Sequence, residues 1–197
     1  MENADYRIDE ELVRRAIGGD SKAFEKLVEK YKKRVYYLAY RMTRDHDSAD
    51  ELAQESFVKA YQALGNFKPG YNFYTWIYRI CVNLAINFLK REKHTISAEL
   101  LKEIDLLPES VTAVDQLERM IASEQAGLVR KALDSLPPEQ KLAFILKTNE
   151  NMSYEEMAAV MDCSIGTVMS RLFRARQKLR NVLRAAETER DRTDGKL

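Results

Sequence analysis

Cysteine is scarce in this chain: Cys81 and Cys163 are the only two among 197 residues. They stand far apart inside apolar patterns, which excludes a disulfide framework, fits a reducing compartment and makes buried free thiols the expectation. Histidine is as sparse, at His46 and His94. With the two cysteines these do not have the spacing of a zinc site, so a nucleic-acid enzyme of the zinc-deaminase kind lacks its ligands. No enzyme activity, metal or cofactor is expected. Long apolar runs are missing too, with none near the roughly 18 to 20 residues of a membrane span. The N-terminus M-E-N-A-D-Y-R-I-D-E has neither a basic n-region nor an apolar h-region, and a cytoplasmic location is expected. Charge of one sign is not in excess: 32 Lys and Arg oppose 31 Asp and Glu, a net charge of +1. Bulk charge therefore says nothing about nucleic acid.

What is present suits an all-α protein. Apolar residues make up 45% and charged residues 32% of the chain, as in a soluble helical fold. The charges are segregated along it. From Cys163 to Arg184 there are six Lys or Arg and no acid, whereas from Thr95 to Glu124 seven acids face two bases. The pattern predicts two small helical domains, residues 1–94 and 122–186, an acidic and mostly unstructured linker at 95–121 that contains Pro108, and a tail at 187–197.

Aromatic surface concentrates between Tyr71 and Tyr78, where five of eight residues are aromatic, including the sole Trp76. Lys68-Pro69-Gly70 punctuates a loop, and helical spacing follows through Phe73, Trp76, Ile77, Ile80, Cys81, Leu84 and Phe88, ending near Lys93. Phe73, Trp76 and Ile80 read as packing. Tyr71, Asn72 and Tyr74, beside the loop, are better placed to touch a ligand. The opposite strip carries Thr75, Arg79, Asn83 and Lys90, with Tyr74 and Tyr78 on its margins. Rings to stack on, cations for phosphate and amides for base edges suit unpaired nucleic acid.

Upstream, a short helix from Asp9 to Ile17 closes at Gly18-Gly19, and Asp20 caps a longer one. Its expected buried face is Ala23, Phe24, Leu27, Val28, Tyr31, Val35, Leu38 and Met42. The charged run from Glu25 to Arg34 reads as a solvated face without a site. A third helix is expected from Asp47 or Ser48 to Leu64, with Ala53, Phe57, Ala60, Tyr61 and Leu64 inward. Asp47, Glu51, Gln54 and Glu55 share another face. Helix-dipole preference explains acids in a first turn but does not reach Glu55, and an acceptor strip over two turns fits an arginine-bearing partner.

In the C-terminal part, Pro138 can open a helix after Leu136-Pro137, and Ser153 with Glu156 forms a capping box for Tyr154 to Met161. A tight turn at Asp162-Cys163-Ser164 then leads into a helix from Ile165, which makes a helix-turn-helix. Its inner row is Ile165, Val168, Leu172, Ala175, Leu179 and Val182. Thr167, Ser170, Arg171, Arg174 and Lys178 lie outside with no acid among them. Short hydroxyls near the helix start and guanidiniums beyond it match a major-groove reader.

The strings A-D-E-L-A-Q-E-S-F-V-K-A-Y, F-Y-T-W-I-Y-R-I-C-V-N, L-P-P-E, S-Y-E-E-M-A and G-T-V-M-S-R-L-F-R-A-R, in this order, resemble bacterial sigma factors of the extracytoplasmic-function group, from about Asp9 to Arg184. The resemblance implies a promoter-specificity subunit of RNA polymerase, not an enzyme. It implies that Asp47, Asp50, Glu51, Gln54 and Glu55 meet a coiled coil of the largest core subunit, and that the flap of core is a second contact. It implies capture of the melted minus-ten strand, with a flipped base, by the loop Asn66 to Tyr74 and the helix behind it. The residues carried over are Asn66, Lys68, Tyr71, Asn72, Phe73, Tyr74, Trp76, Tyr78, Arg79 and Asn83. It implies reading of the minus-thirty-five element by Ser164, Thr167, Met169, Ser170, Arg171 and Arg174, with Arg176 and Lys178 on phosphate. Met169 departs from the Lys or Arg common at that position, which implies that one polar DNA contact is either missing or replaced by an apolar one to a thymine methyl and leaves the sequence preference there open. The expected partners are core RNA polymerase, promoter DNA and an anti-sigma factor, in an envelope or other stress response. A free-standing helix-turn-helix repressor or activator is the competing reading, and it leaves the acceptor strip and the aromatic helix without a purpose.

Overall fold

The computed structural model describes residues 2–68, 71–99 and 124–194. Among these residues all regular structure is helical. The N-terminal half holds α1 (Glu2–Ile17), α2 (Ser21–Thr43), α3 (His46–Gln62), a 3-10 turn (Leu64–Asn66) and α4 (Phe73–Glu99). The C-terminal half holds α5 (Glu124–Asp134), α6 (Pro138–Thr148), α7 (Tyr154–Met161) and α8 (Ile165–Asp194).

Local chemistry sets most boundaries. Gly19 takes φ +94°, a left-handed conformation that suits glycine, and ends α1. Asp20 then caps α2 by accepting from the Ala23 amide at 3.3 Å, while the Arg15 guanidinium donates to its other oxygen at 2.6 Å. Arg15 holds the Asp20 carboxyl below its usual range. The cap of α3 is Asp45, whose carboxylate accepts from the Ser48 amide at 2.7 Å. The helix thus starts at His46, before the expected Asp47 or Ser48. Farther on, Pro138 opens α6, and the Ser153–Glu156 capping box closes in both directions at 3.1 and 2.8 Å. Asp162, at φ 49°, ends α7, and the Ser164 hydroxyl accepts from the Thr167 amide at 3.2 Å to start α8.

The face of α2 buries Ala23, Phe24, Leu27, Tyr31, Val35, Leu38 and Met42 as expected, with Ala39 added and Val28 only half-buried. Against it lie Phe57 and Ala60 of α3 and Phe73, Ile77, Cys81 and Ala85 of α4. Burial pushes the Cys81 thiol up to about 12, so it stays protonated and inert. In the other half Leu142, Leu146, Met157, Val168 and Leu172 form the centre of the helix-turn-helix.

Several expectations shift. Helix α1 begins at Glu2, not Asp9, and α4 runs past Lys93 to Glu99, into the segment assigned to the linker. The rest of that linker lies outside the described residues. Helix α8 continues past Arg184 to Asp194. Tyr61 is half exposed, its ring tilted against that of Phe24 with centroids 5.0 Å apart. Ile165, the first residue of α8, is exposed. Within the charged run of α2, Lys30 is not simply solvated. It reaches the buried Asp9 at 2.7 Å, where the Tyr31 hydroxyl also donates, and together these tie α1 to α2.

The two halves are packed together. Helices α6 and α7 lie on α2 and α4, and the apolar core runs continuously from one half into the other. Lys141, buried on α6, donates to the Met42 carbonyl at 2.8 Å and to Asp134 at 2.7 Å. That carbonyl belongs to the last turn of α2, where helix carbonyls lack partners of their own. Lys90 pairs with Glu139 at 2.7 Å, and Arg79 pairs with Asp162.

Candidate functional site

Three faces carry the residues singled out in the sequence. On α3, Asp47, Asp50, Glu51 and Gln54 are exposed and Glu55 is half-buried. Their pairings stay on their own helix: Gln54 donates to Asp50 at 2.7 Å, and Lys59 meets Glu55 at 3.3 Å. Exposed pairs of this kind are worth little and exchange readily for an incoming guanidinium. The strip thus presents acceptors outward along successive turns, with Val58 exposed nearby.

The second face is the loop before α4 together with the start of that helix. Asn66, Lys68, Tyr71 and Asn72 are exposed, as is Asn83 farther along. Asn72 folds back to accept from the Tyr74 amide at 2.9 Å, which organises the helix entry. Trp76 is half-buried, its ring 5.1 Å from that of Phe67. Phe73 is 1% exposed among Phe24, Tyr31, Phe67 and Trp76, so here it is a core side chain that supports the loop. Tyr78 has no exposed surface, and Arg79 is engaged by Asp162.

Tyr74 and Tyr78 are covered by one residue of the other half. The side chain of Glu150, 8% exposed, sits in the turn between α6 and α7. It accepts from the Tyr78 hydroxyl at 2.8 Å, the Tyr74 hydroxyl at 3.2 Å and the Arg41 guanidinium at 3.2 Å. Arg34 stands 3.6 Å away, stacks on the Tyr74 ring at 4.2 Å and donates to its hydroxyl at 2.9 Å. Burial, reinforced by the nearby carboxylate, pushes the Tyr74 phenol up to about 12 and raises Tyr78 further. Burial by itself would lower Arg34, but facing Tyr74, Tyr78 and Glu150 raises it. The Arg34 guanidinium is therefore firmly charged.

The third face is the outer side of α8. Ser164 and Thr167 bond each other at 2.9 Å and serve the helix start, and Ser170 donates to the Thr167 carbonyl at 2.9 Å. Arg174 and Arg176 are exposed, while Arg171 is half-buried with its guanidinium 3.5 Å from the Cys163 sulfur. Lys178 is exposed but turns to the Ser135 carbonyl at 2.7 Å, so in this arrangement it braces α5 against α8. Met169 is 52% and Phe173 66% exposed, and with Tyr154, Arg176 and Arg180 they line an open groove.

Phe173 escaped the sequence reading although its signal was present: it lies four residues from Met169, off the buried row. Arg34, Arg41 and Glu150 were missed for a different reason. No local pattern links three residues that only tertiary packing brings together.

Two packed helical halves, the second built around a helix-turn-helix with an acid-free outer face, define a bipartite all-α protein of the nucleic-acid-binding kind. Comparison with known proteins resolves the class further. The family description Sigma-70 region 2 matches residues 27–95, and Sigma-70, region 4 matches residues 126–179. The RNA polymerase sigma-H factor of Pseudomonas aeruginosa is 38% identical over 180 residues, covering 89% of this chain and 93% of the relative. The ECF RNA polymerase sigma-E factor of Salmonella typhimurium is 40% identical over 181 residues, 88% and 93% of the two chains. Among solved structures, CnrH in complex with the cytosolic domain of CnrY superposes with a TM-score of 0.66 at 25% identity, over 90% of this chain and 98% of that one. The sigma factor RpoE of Bartonella quintana, in complex with the anti-sigma factor NepR, gives 0.61 at 26% identity, over 83% and 98%.

The chain belongs to the sigma-70 family of RNA polymerase sigma factors, in its extracytoplasmic-function group. No helix among the described residues is long and apolar enough to cross a membrane.

Proposed function

We propose that this sigma factor binds core RNA polymerase through the α3 strip and directs it to promoters. In this reading α8 reads duplex DNA at the minus-thirty-five element, and the loop and start of α4 take the melted minus-ten strand. The observation that carries the reading is the outward strip Asp47, Asp50, Glu51, Gln54 and Glu55, in which Gln54 pairs with Asp50 and Glu55 with Lys59 of the same helix. Such a strip suits a partner that brings arginines, and a coiled coil of the largest core subunit is that partner, with the flap of core a second contact at the C-terminal half. The factor works in the cytoplasm, where the polymerase is. Of the relatives, RpoE was solved with an anti-sigma factor, and the reading extends such control to this chain, over an envelope or other stress regulon. The domain division at 1–94, 95–121 and 122–186 belongs to the same reading, with the linker passing through the polymerase.

The test is co-elution with the core polymerase of its own host on size exclusion. The wild-type chain elutes with core. Glu51→Lys with Glu55→Lys loses that association while its circular dichroism stays that of the wild type. A folded wild-type chain that never co-elutes would return the free-standing repressor to first place.

A further inference from the structure

The arrangement around Glu150 is a binding site filled from within. Three donors hydrogen-bond Glu150, the Arg41 guanidinium and the Tyr74 and Tyr78 hydroxyls, and the Arg34 guanidinium stands 3.6 Å from it; all four belong to α2 and α4 of the N-terminal half. The acceptor comes from the C-terminal half, on the turn that Asn151 shapes with its positive φ of 51°. When the halves separate, the carboxylate leaves and the donors remain. Two guanidiniums and two phenols fixed on packed helices then lack the anion that balanced them. Held in one geometry and facing solvent, they form a preorganised site for a new oxyanion.

We propose that Arg34, Arg41, Tyr74 and Tyr78 form an anion cradle that Glu150 occupies in the packed chain and that a backbone phosphate of the unpaired promoter strand occupies in the opened one. This rests on the function proposed above. The location selects the ligand: Tyr74 and Tyr78 lie at the start of α4, in the chain between Tyr71 and Asn72 before them and Arg79 and Asn83 after, the stretch assigned to single-stranded DNA. A phosphodiester offers two free oxygens to the two guanidiniums and a sugar edge to the ring of Tyr74. Glu150 and the strand exclude each other, so the packed chain binds single strands weakly and anything that separates the halves exposes the site.

The experiment measures binding of a mixed-sequence single-stranded oligodeoxynucleotide to the full chain by fluorescence anisotropy over a salt series. Small-angle scattering of the free protein is recorded in parallel. Glu150→Gln expands the chain and tightens strand binding by about tenfold, the effect of releasing a competing internal anion. Adding Arg34→Gln and Arg41→Gln to that variant abolishes the gain and lowers the salt slope by about 0.7, the value for one phosphate on a single strand. In the otherwise native chain the two arginine changes also expand the molecule, but without any gain in affinity. If Glu150→Gln fails to fold, Glu150→Asp replaces it, with expansion and tightening in the same direction and of smaller size. Unchanged strand affinity in the Glu150 variant used overturns the proposal, and so does a gain that survives loss of both arginines. Co-elution with core polymerase is scored separately. A chain that binds core but fails the strand test refutes only the cradle, and a chain that passes the strand test without binding core refutes only the polymerase reading.

Discussion

The two nucleic-acid faces of this chain differ in how far they are available. The outer side of α8 stands open, with Arg174, Arg176, Met169 and Phe173 exposed. The start of α4 is half covered: Tyr78 is buried, Tyr74 is held by Glu150, and Arg79 is held by Asp162. The difference follows from where the halves meet. A helix-turn-helix buries one side of its second helix and leaves the other free, and here α7 and the turn before it, not the outer side of α8, lie against the N-terminal half. Duplex reading and strand capture are thus separable, and only the second requires the molecule to open.

Replacing Arg171 and Arg174 with Ala tests the open face and carries the largest expected effect. Each lost guanidinium contact to a base weakens duplex binding by about 1–3 kcal/mol. The loss is measured by anisotropy on minus-thirty-five duplexes and is the same in the packed chain and in the opened Glu150→Gln variant. A loss confined to the opened chain would break the comparison.

Lys141→Met probes the seam between the faces. It removes the donor to the Met42 carbonyl and leaves that buried acceptor unsatisfied, which lowers stability by about 1–3 kcal/mol in urea unfolding. It also loosens the packing of the halves, seen as a larger radius in scattering. Unchanged dimensions would move the hold between the halves away from α6.

Arg79→Ala removes an ion pair whose side chains are 44% and 65% exposed, and solvent screening limits such a pair to about 0–1 kcal/mol. The chain stays packed. If this change opened the molecule as far as Glu150→Gln does, the lock would lie in the exposed pair and not in the buried carboxylate.

The smallest effect is in the alkaline range. Tyr74 is pushed up to about 12 from an ordinary 10.0, chiefly by burial. The packed state therefore keeps a proton that the separated state releases. Its contribution to packing is complete below pH 10 and is lost as pH rises towards 12. Tyrosinate absorbance and scattering, followed together, show expansion within this window, and in Glu150→Gln the Tyr74 transition moves back towards 10.

Much of the molecule was legible from residues alone because its signals are local. Asp20 as a cap, Pro138 as a first helical residue, the Ser153–Glu156 box and the Asp162-Cys163-Ser164 turn each depend on neighbours within a few positions. The inner row Val168, Leu172 and Ala175 follows from helical period. Asp45 was passed over as the cap of α3 because it competed with two equally good candidates, Asp47 and Ser48. The end of α4 at Glu99 was missed because falling apolar content there resembles a linker.

The sequence by itself determined the helices, the two halves, the acceptor strip of α3 and the acid-free outer face of α8. Each of these is written in contacts between residues a turn or two apart. Only the tertiary structure decided which of the aromatic residues of α4 stay accessible, and that Arg34, Arg41 and Glu150 belong to one site. Glu150 lies more than seventy positions from its partners Tyr74 and Tyr78. A buried carboxylate finds its cations through the packing of whole helices, and no spacing along the chain encodes where that packing will bring them.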